Sequence, residues 1–460
     1  MFKKLISLSV VLLLVFISIP SFAAEPSFSL KASEKMVVTF ASTPLLSVAS
    51  PDGTRLAYVA QEGGKQFVVV DGKAGKQYDG VGMSLTFSPD NRHVAYGAQI
   101  GKKQVVVVDG LEGKYYDSIG SKIFFSGDSN RVAYAAKADK DCFAVIDGKE
   151  GNHYEGIGSN FVFSPDGRHL AYGAMSGKKQ FVVVDGNEGS RYDGVGDSIV
   201  YSPDSKRMAY HGIADKKHFL IVNGTEGKRY EDLGVNFYFS PDSRRLAYLA
   251  KANQKWFVVV DGQEGKPYDG VADNIVFSPD SNHIAYQARL DKQRFFILDN
   301  KQSKAYERIG STIVFSPDSK RVAYIAQAEN KRFVVNLDGR EGKQYDLIGN
   351  GSLIFSPDSK HIAYAVESNK KRFVVVNDKE GKNYEGIGNR HLVFSPNSQY
   401  LAYLAQSANR QIVVVNNQEL NSYDGIFPLE QGAFVFDAPD RFRFLAIKDK
   451  SVYAVDVKIK

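Results

Sequence analysis

Histidine and aspartate are the side chains of this 460-residue chain best suited to acid–base or metal chemistry, and both recur at fixed spacing instead of gathering. His93, His169, His283 and His361 occupy one position of an internal repeat, filled elsewhere by Arg55, Arg131, Arg207, Arg245, Arg321 and Tyr400. One imidazole per repeat, in non-adjacent repeats, does not supply the three or four converging ligands of a zinc site. His211 and His218 lie close enough to meet across one hairpin, a weak metal pair with no repeated carboxylate beside it. Asp90, Asp166, Asp242 and Asp318 also recur once per repeat. Calcium needs six to eight oxygens aimed at one point, and a turn aspartate accepting nearby backbone N–H groups explains these residues more simply. The chain has no Gly-x-Ser-x-Gly elbow, no His-Glu-x-x-His pair and no phosphate-cradling loop before a helix. The sequence therefore assigns no catalytic, cofactor-binding or metal residue.

What does recur with a net chemical character is a set of basic tips: Lys102-Lys103, Lys178-Lys179, Lys216-Lys217, Lys331-Arg332 and Lys370-Lys371-Arg372. A ring of such tips facing an acidic partner adds weak contacts through avidity. Glu150, Glu188, Glu226 and Glu264 fall in different loops of the repeat, so the two sides of the molecule are expected to differ in charge.

The elements that place these residues come from the repeat itself. Phe87-Ser88-Pro89-Asp90 recurs at Phe163, Phe239, Phe277, Phe315 and Phe355, with variants at Phe125, Tyr201 and Phe394. From Ala49 to Phe315 the spacing is 38 residues, then 40, 39 and finally 42 at the degenerate Phe436, giving eleven units. In one unit, Ile275-Val276-Phe277 is a short strand and Ser278-Pro279-Asp280-Ser281 a type I turn. Ile284-Ala285-Tyr286 forms a second strand, followed by a polar hairpin from Arg289 to Gln293. Phe295-Phe296-Ile297-Leu298 is a continuous apolar strand, and a weaker fourth strand carries Tyr306. Four short strands with no helical period describe a β-propeller blade. Twenty of the 25 tyrosines fall at two positions, exemplified by Tyr286 and Tyr306, which marks them as packing residues.

The fold class is thus all-β, a propeller of about eleven four-stranded blades in either one wide ring or two tandem rings. Its first-to-second and third-to-fourth connections share one face, and the basic second-to-third hairpins form the other. The last unit offers only three strands, Ala433 to Phe436, Phe442 to Ile447 and Val452 to Val457. Met36 to Phe40 is expected to close it by pairing beside Val452 to Val457, protecting an open edge.

Residues 1–23 read as a secretory signal: Lys3 and Lys4, an apolar run from Leu5 to Ile19, and small residues up to Ala23. Residues 24–48 form an N-terminal segment holding the closing strand, and 49–460 the repeat array. No Cys follows the cleavage site to take a lipid anchor, and no later stretch reaches the ~20 apolar residues of a membrane span. Cys142 is the sole cysteine, so no disulfide forms within the chain. Formal charge is +6, or +4 without Lys3 and Lys4 (6 − 2), too mild for a nucleic-acid footprint.

The phrase Phe-Ser-Pro-Asp-Ser/Gly-x-Arg/His-x-Ala-Tyr, repeated along the chain, resembles the WD-repeat-like blades of TolB-type β-propellers. That resemblance implies a periplasmic or secreted partner-binding scaffold. The expected function is non-catalytic binding of a protein or an anionic envelope polysaccharide on one face. The alternative is a propeller-type lyase or hydrolase with its site at the central channel.

Overall fold

The computed structural model describes residues 28–328, 330–388, 391–429 and 432–460. Among them every regular element is a strand, and the strands form eleven antiparallel sheets arranged as the blades of one propeller. The signal-like segment 1–23 lies outside the described residues.

Blade six shows how the repeat folds. Its first strand, Asp232–Phe239, pairs with Leu246–Ala252, which pairs with Lys255–Val260, which pairs with the short Gln263–Glu264. Tyr268 then rejoins the sheet through a bridge to Trp256. The register places Phe237 opposite Tyr248, and Tyr248 opposite Val259. A bulge between Leu233 and Phe237 interrupts the first strand, as the extra residues of a bulge locally break the ladder. The hairpin tip, Asn253-Gln254, has φ of 50° and 63°. Positive φ at both tip residues is the type I′ geometry whose twist suits a two-residue hairpin, and Asn tolerates it.

The core lies between blades. Ala209 and Leu220 of blade five pack on Phe237, Tyr248 and Val259 of blade six. Ala247, directly before Tyr248, is fully buried, and its small side chain lets the next sheet approach. The tyrosines of both repeat positions are buried throughout, apart from the half-buried Tyr58 of blade one. Each of the eleven seams carries its own apolar cluster. The last seam joins blade eleven to blade one through Leu56, Phe427, Leu445 and Val452, with Phe40 set edge-on to Tyr58 at 5.0 Å. No seam is left over for a second ring to begin, so the chain forms one ring of eleven blades.

Closure follows the expected route but is longer. The strand Leu30–Thr39 pairs antiparallel along the whole of Ser451–Ile459, with a bulge between Met36 and Val38. The N-terminal strand thus supplies the outer strand that blade eleven lacks. Leu46–Ala49 then begins blade one.

Candidate functional site

The hairpin face is built from the Gln/Asn/Asp/Gly-rich tips and the basic residues that follow them. Positions that look alike in sequence divide into two kinds. The basic residue opening the third strand is held by the acid that follows the fourth-strand tyrosine: Lys103 by Asp117 at 2.7 Å, Lys179 by Asp193 at 2.6 Å and Arg332 by Asp346 at 3.3 Å. The same acid also accepts the tip N–H of the next blade, as Asp117 does from Asp139 (2.7 Å) and Asp193 from Asp215 (2.9 Å). Lys103 and its counterparts hold Asp117 and Asp193 well below the usual carboxylate range. These residues stitch neighbouring hairpins together. Arg372, one place further on, pairs with Glu367 at 2.8 Å.

The second tip residue is different. Lys102, Lys178, Lys216, Lys331 and Lys370 are exposed, and their ammonium groups make no ion pair among the described residues. Lys140, Lys292 and Lys450 share that position and that freedom, though sequence reading did not single them out. Only the tip place itself identifies them. Lys217 and Lys371 are exposed and without a salt bridge, Lys217 lying in the field of Glu231.

The opposite face is saturated with internal contacts. His93, His169 and His283 bind Asp109, Asp185 and Asp299 at 2.6–2.7 Å, and each aspartate accepts the N–H that opens the second strand. His361 meets Asn377 in the same way at 2.7 Å. Where the position is Arg, the guanidinium reaches the next blade: Arg245 binds Asp261, the carbonyls of Ser281 and Asn282, and stands 5.2 Å from the Phe277 ring centre. Turn aspartates are tied as expected. Asp242 accepts from Ser240 Oγ (2.6 Å) and Arg244 N–H (3.1 Å), and its own N–H donates to Ser281 of blade seven. The Ser240 bond leads in pulling its carboxyl below the usual range. Glu150 and Glu264 pair with Lys114 and Lys228 of preceding blades at 2.7 and 2.6 Å.

First strands hydrogen-bond directly across blades, so they converge on the channel. Asn160 reaches the carbonyl of Asp197, and Asp273 accepts from the N–H groups of Val235 and Asn236. Small polar residues border the channel there, interrupted by the exposed Val235 and Met83.

Blade five brings two histidines together. His211 Nε2 lies 2.9 Å from His218 Nδ1, and His218 lies 3.6 Å from Asp232. Burial and then the neighbouring imidazole push His211 down to about 4. His218 stands where blades one, two, four and ten have a glutamine whose amide oxygen accepts an N–H of the next blade, as Gln180 does from Val195 at 2.8 Å. Here Leu233 N–H turns to the Asp232 carboxylate instead. Among the described residues, no group of three or more His, Cys, Asp or Glu is arranged to hold a metal ion.

Comparison with known proteins leaves the family open. No family model matches the chain, and no curated protein matches it. Solved structures do match, among them one described as the crystal structure of the eukaryotic initiation factor. It shares 14% identity and a TM-score of 0.40, with 68% of this chain and 90% of that chain covered. At that distance the likeness carries no statement about what this protein does.

Proposed function

We propose that the protein is an exported, non-catalytic scaffold whose hairpin face holds an acidic partner, either a protein surface or an anionic envelope polymer. The observation that carries this reading is the set of eight exposed tip lysines, 102, 140, 178, 216, 292, 331, 370 and 450, which make no ion pair among the described residues. Lys103, Lys179 and Lys255 beside the tips are held by acids, whereas the tip lysines keep their charge available. Each surface contact is worth at most ~1 kcal/mol, and several engaged together give measurable affinity by avidity. Near-identity of the blades supports binding over catalysis, because a reaction site needs unlike groups converging on one spot. Export rests on residues 1–23, and the TolB-like blade phrase accords with a periplasmic or extracellular role.

The test is retention of the mature chain on immobilised polygalacturonate and on an acidic fraction of envelope extract. Replacing the eight tip lysines with Gln is expected to abolish retention. Replacing eight exposed lysines elsewhere, including Lys149, Lys206 and Lys320 of the opposite face, is expected to preserve it. Equal loss in both variants would reduce the effect to net charge and defeat the reading.

A further inference from the structure

Between blades nine and ten, on the face opposite the hairpins, lies a cavity of about 980 Å³, the upper end of the range typical of small-ligand sites. Its wall includes His361, at a position where five of the first ten blades have Arg. In blades one, three, five, six and eight an arginine crosses this seam and covers the next blade's phenylalanine, as Arg321 covers Phe355 at 5.5 Å. Blade nine has His361, which is shorter and is held by its own blade's Asn377. Phe394 of blade ten is left at the cavity wall. The seam after His169 opens in the same place, with about 370 Å³ and a wall that includes Lys206 and Arg207.

Blade ten changes the chemistry of the wall. Blades one to nine all carry Asp at the turn, whereas blade ten has Asn397. It alone of the first ten has an aromatic residue, Tyr400, in place of Arg or His. Its strand-end pair is Asn416-Asn417, where the repeat mostly has Asp-Gly. Three places that usually hold ionised groups thus became neutral together, and all border the cavity. Tyr400 is fixed edge-on to Phe28 at 5.5 Å, and Phe28 is itself tied by Gln418 through its carbonyl at 3.1 Å. Asn397 accepts from Ser395 Oγ and Gln399 N–H and donates to Gln399 Oε1, and Asn416 accepts from Leu401 N–H and donates to the Gln399 carbonyl, so both amides are fixed within their own blade. Among the described residues no hydrogen bond engages the Asn417 side-chain amide.

We propose that this cavity binds a neutral saccharide. Aromatic walls cover the apolar C–H face of a sugar ring. The Asn417 side-chain amide, which both donates and accepts, matches its hydroxyls. A phosphate or other anion would find here neither the Arg nor the free Lys cluster it needs. The site is separate from the hairpin face and stands or falls independently of it.

Saturation-transfer NMR of the mature chain with cellobiose, maltose, mannobiose and N,N′-diacetylchitobiose tests the assignment. Saturable transfer to ring protons of at least one disaccharide is expected. Tyr400→Ala is expected to weaken binding at least tenfold. Because that variant also disturbs packing, the decisive one is the triple change Asn397→Asp, Tyr400→Arg and Asn416→Asp. It restores the pattern of the other blades, so it keeps the fold and is expected to abolish transfer. Absence of saturable transfer from all four sugars, or transfer that survives the triple change with a native circular-dichroism spectrum, overturns the proposal.

Discussion

Closure of the ring depends on a carboxylate borrowed from the other end of the chain, and removing it has a calculable cost. In blades one, eight and nine the fourth-strand tyrosine donates to a glutamate of the next blade: Tyr78 to Glu112 at 2.9 Å, Tyr345 to Glu380 at 3.4 Å and Tyr384 to Glu419 at 3.0 Å. Blade eleven has no such glutamate of its own, and Tyr423 donates at 2.8 Å to Glu34 of the closing strand. The register is the same, since Glu34 faces Val455 as Glu112 faces Val107. Tyr423 is fully buried, so Glu34→Ala strands its hydroxyl. A hydrogen bond to a charged acceptor contributes about 1.5–3 kcal/mol. Glu34 itself is exposed, and solvent screening reduces that to about 1–2 kcal/mol. Denaturant melts of the wild type, Glu34→Ala, Tyr423→Phe and the double variant measure the pair directly. The cycle is expected to give a coupling of about 1 kcal/mol or more, with hydrogen-exchange protection lost first along 30–39. A coupling below about 0.3 kcal/mol, with unchanged protection there, would show that the apolar seam closes the ring without this bond.

Three further outcomes are expected. His211 is held neutral, its pKa lowered from the ordinary 6.5 to about 4, so between those values the unfolded chain binds the extra proton and stability falls as pH falls. A full shift of that size corresponds to about 3.4 kcal/mol. The ring is only part-buried, which brings the expectation to about 1–2 kcal/mol. His211→Leu, the residue blade six has as Leu249, should flatten urea midpoints from pH 7 to pH 4.5, and an unchanged slope would refute the assignment. Turn aspartates 90, 128, 166, 204, 242, 280 and 318 all titrate low in the fold, Asp280 at about 2. Their stabilisation is present above pH 4 and lost as pH falls through the folded values, so acid unfolding should take up several protons, read by potentiometric titration. Ser240→Ala removes a fully buried hydroxyl that donates to Asp242 and accepts from Arg245 N–H. A loss of about 1–2 kcal/mol by thermal melt is expected, and a neutral result would remove the turn serine from the account of blade stability.

The blade was legible in the sequence because its parts recur from one unit to the next. Phe-Ser-Pro-Asp gave the turn, Ala-Tyr the buried pair and the apolar run the third strand, and the structure has all three where the repeat put them. The closing strand was half legible: Met36 to Phe40 has strand character, but Leu30 to Lys35 alternates with charges, and its partner is more than 400 residues away. Glu34 was missed because its role comes from standing opposite Val455, a relation that no local motif expresses. The search that finds it is for the acid that Tyr423 needs and its own end of the chain does not provide. The basic hairpins were read as uniform for a similar reason. Asp79, Asp117 and Asp193 follow Lys65, Lys103 and Lys179 by 14 residues, a spacing that separates paired cations from free ones once the fourth strand is known to fold back beside the hairpin. Ring number was beyond the sequence, since thirty-eight residues make a blade whether the ring closes after five, six or eleven. In a chain of near copies, shared residues explain the scaffold, and specificity must sit where one copy breaks the rule. His218 for Gln in blade five alters a seam contact that the adjoining Asp232 repairs, so its consequence is local. Tyr400, Asn397 and Asn416 in blade ten alter one wall of a cavity together, and a change of that form is shaped toward something outside the chain.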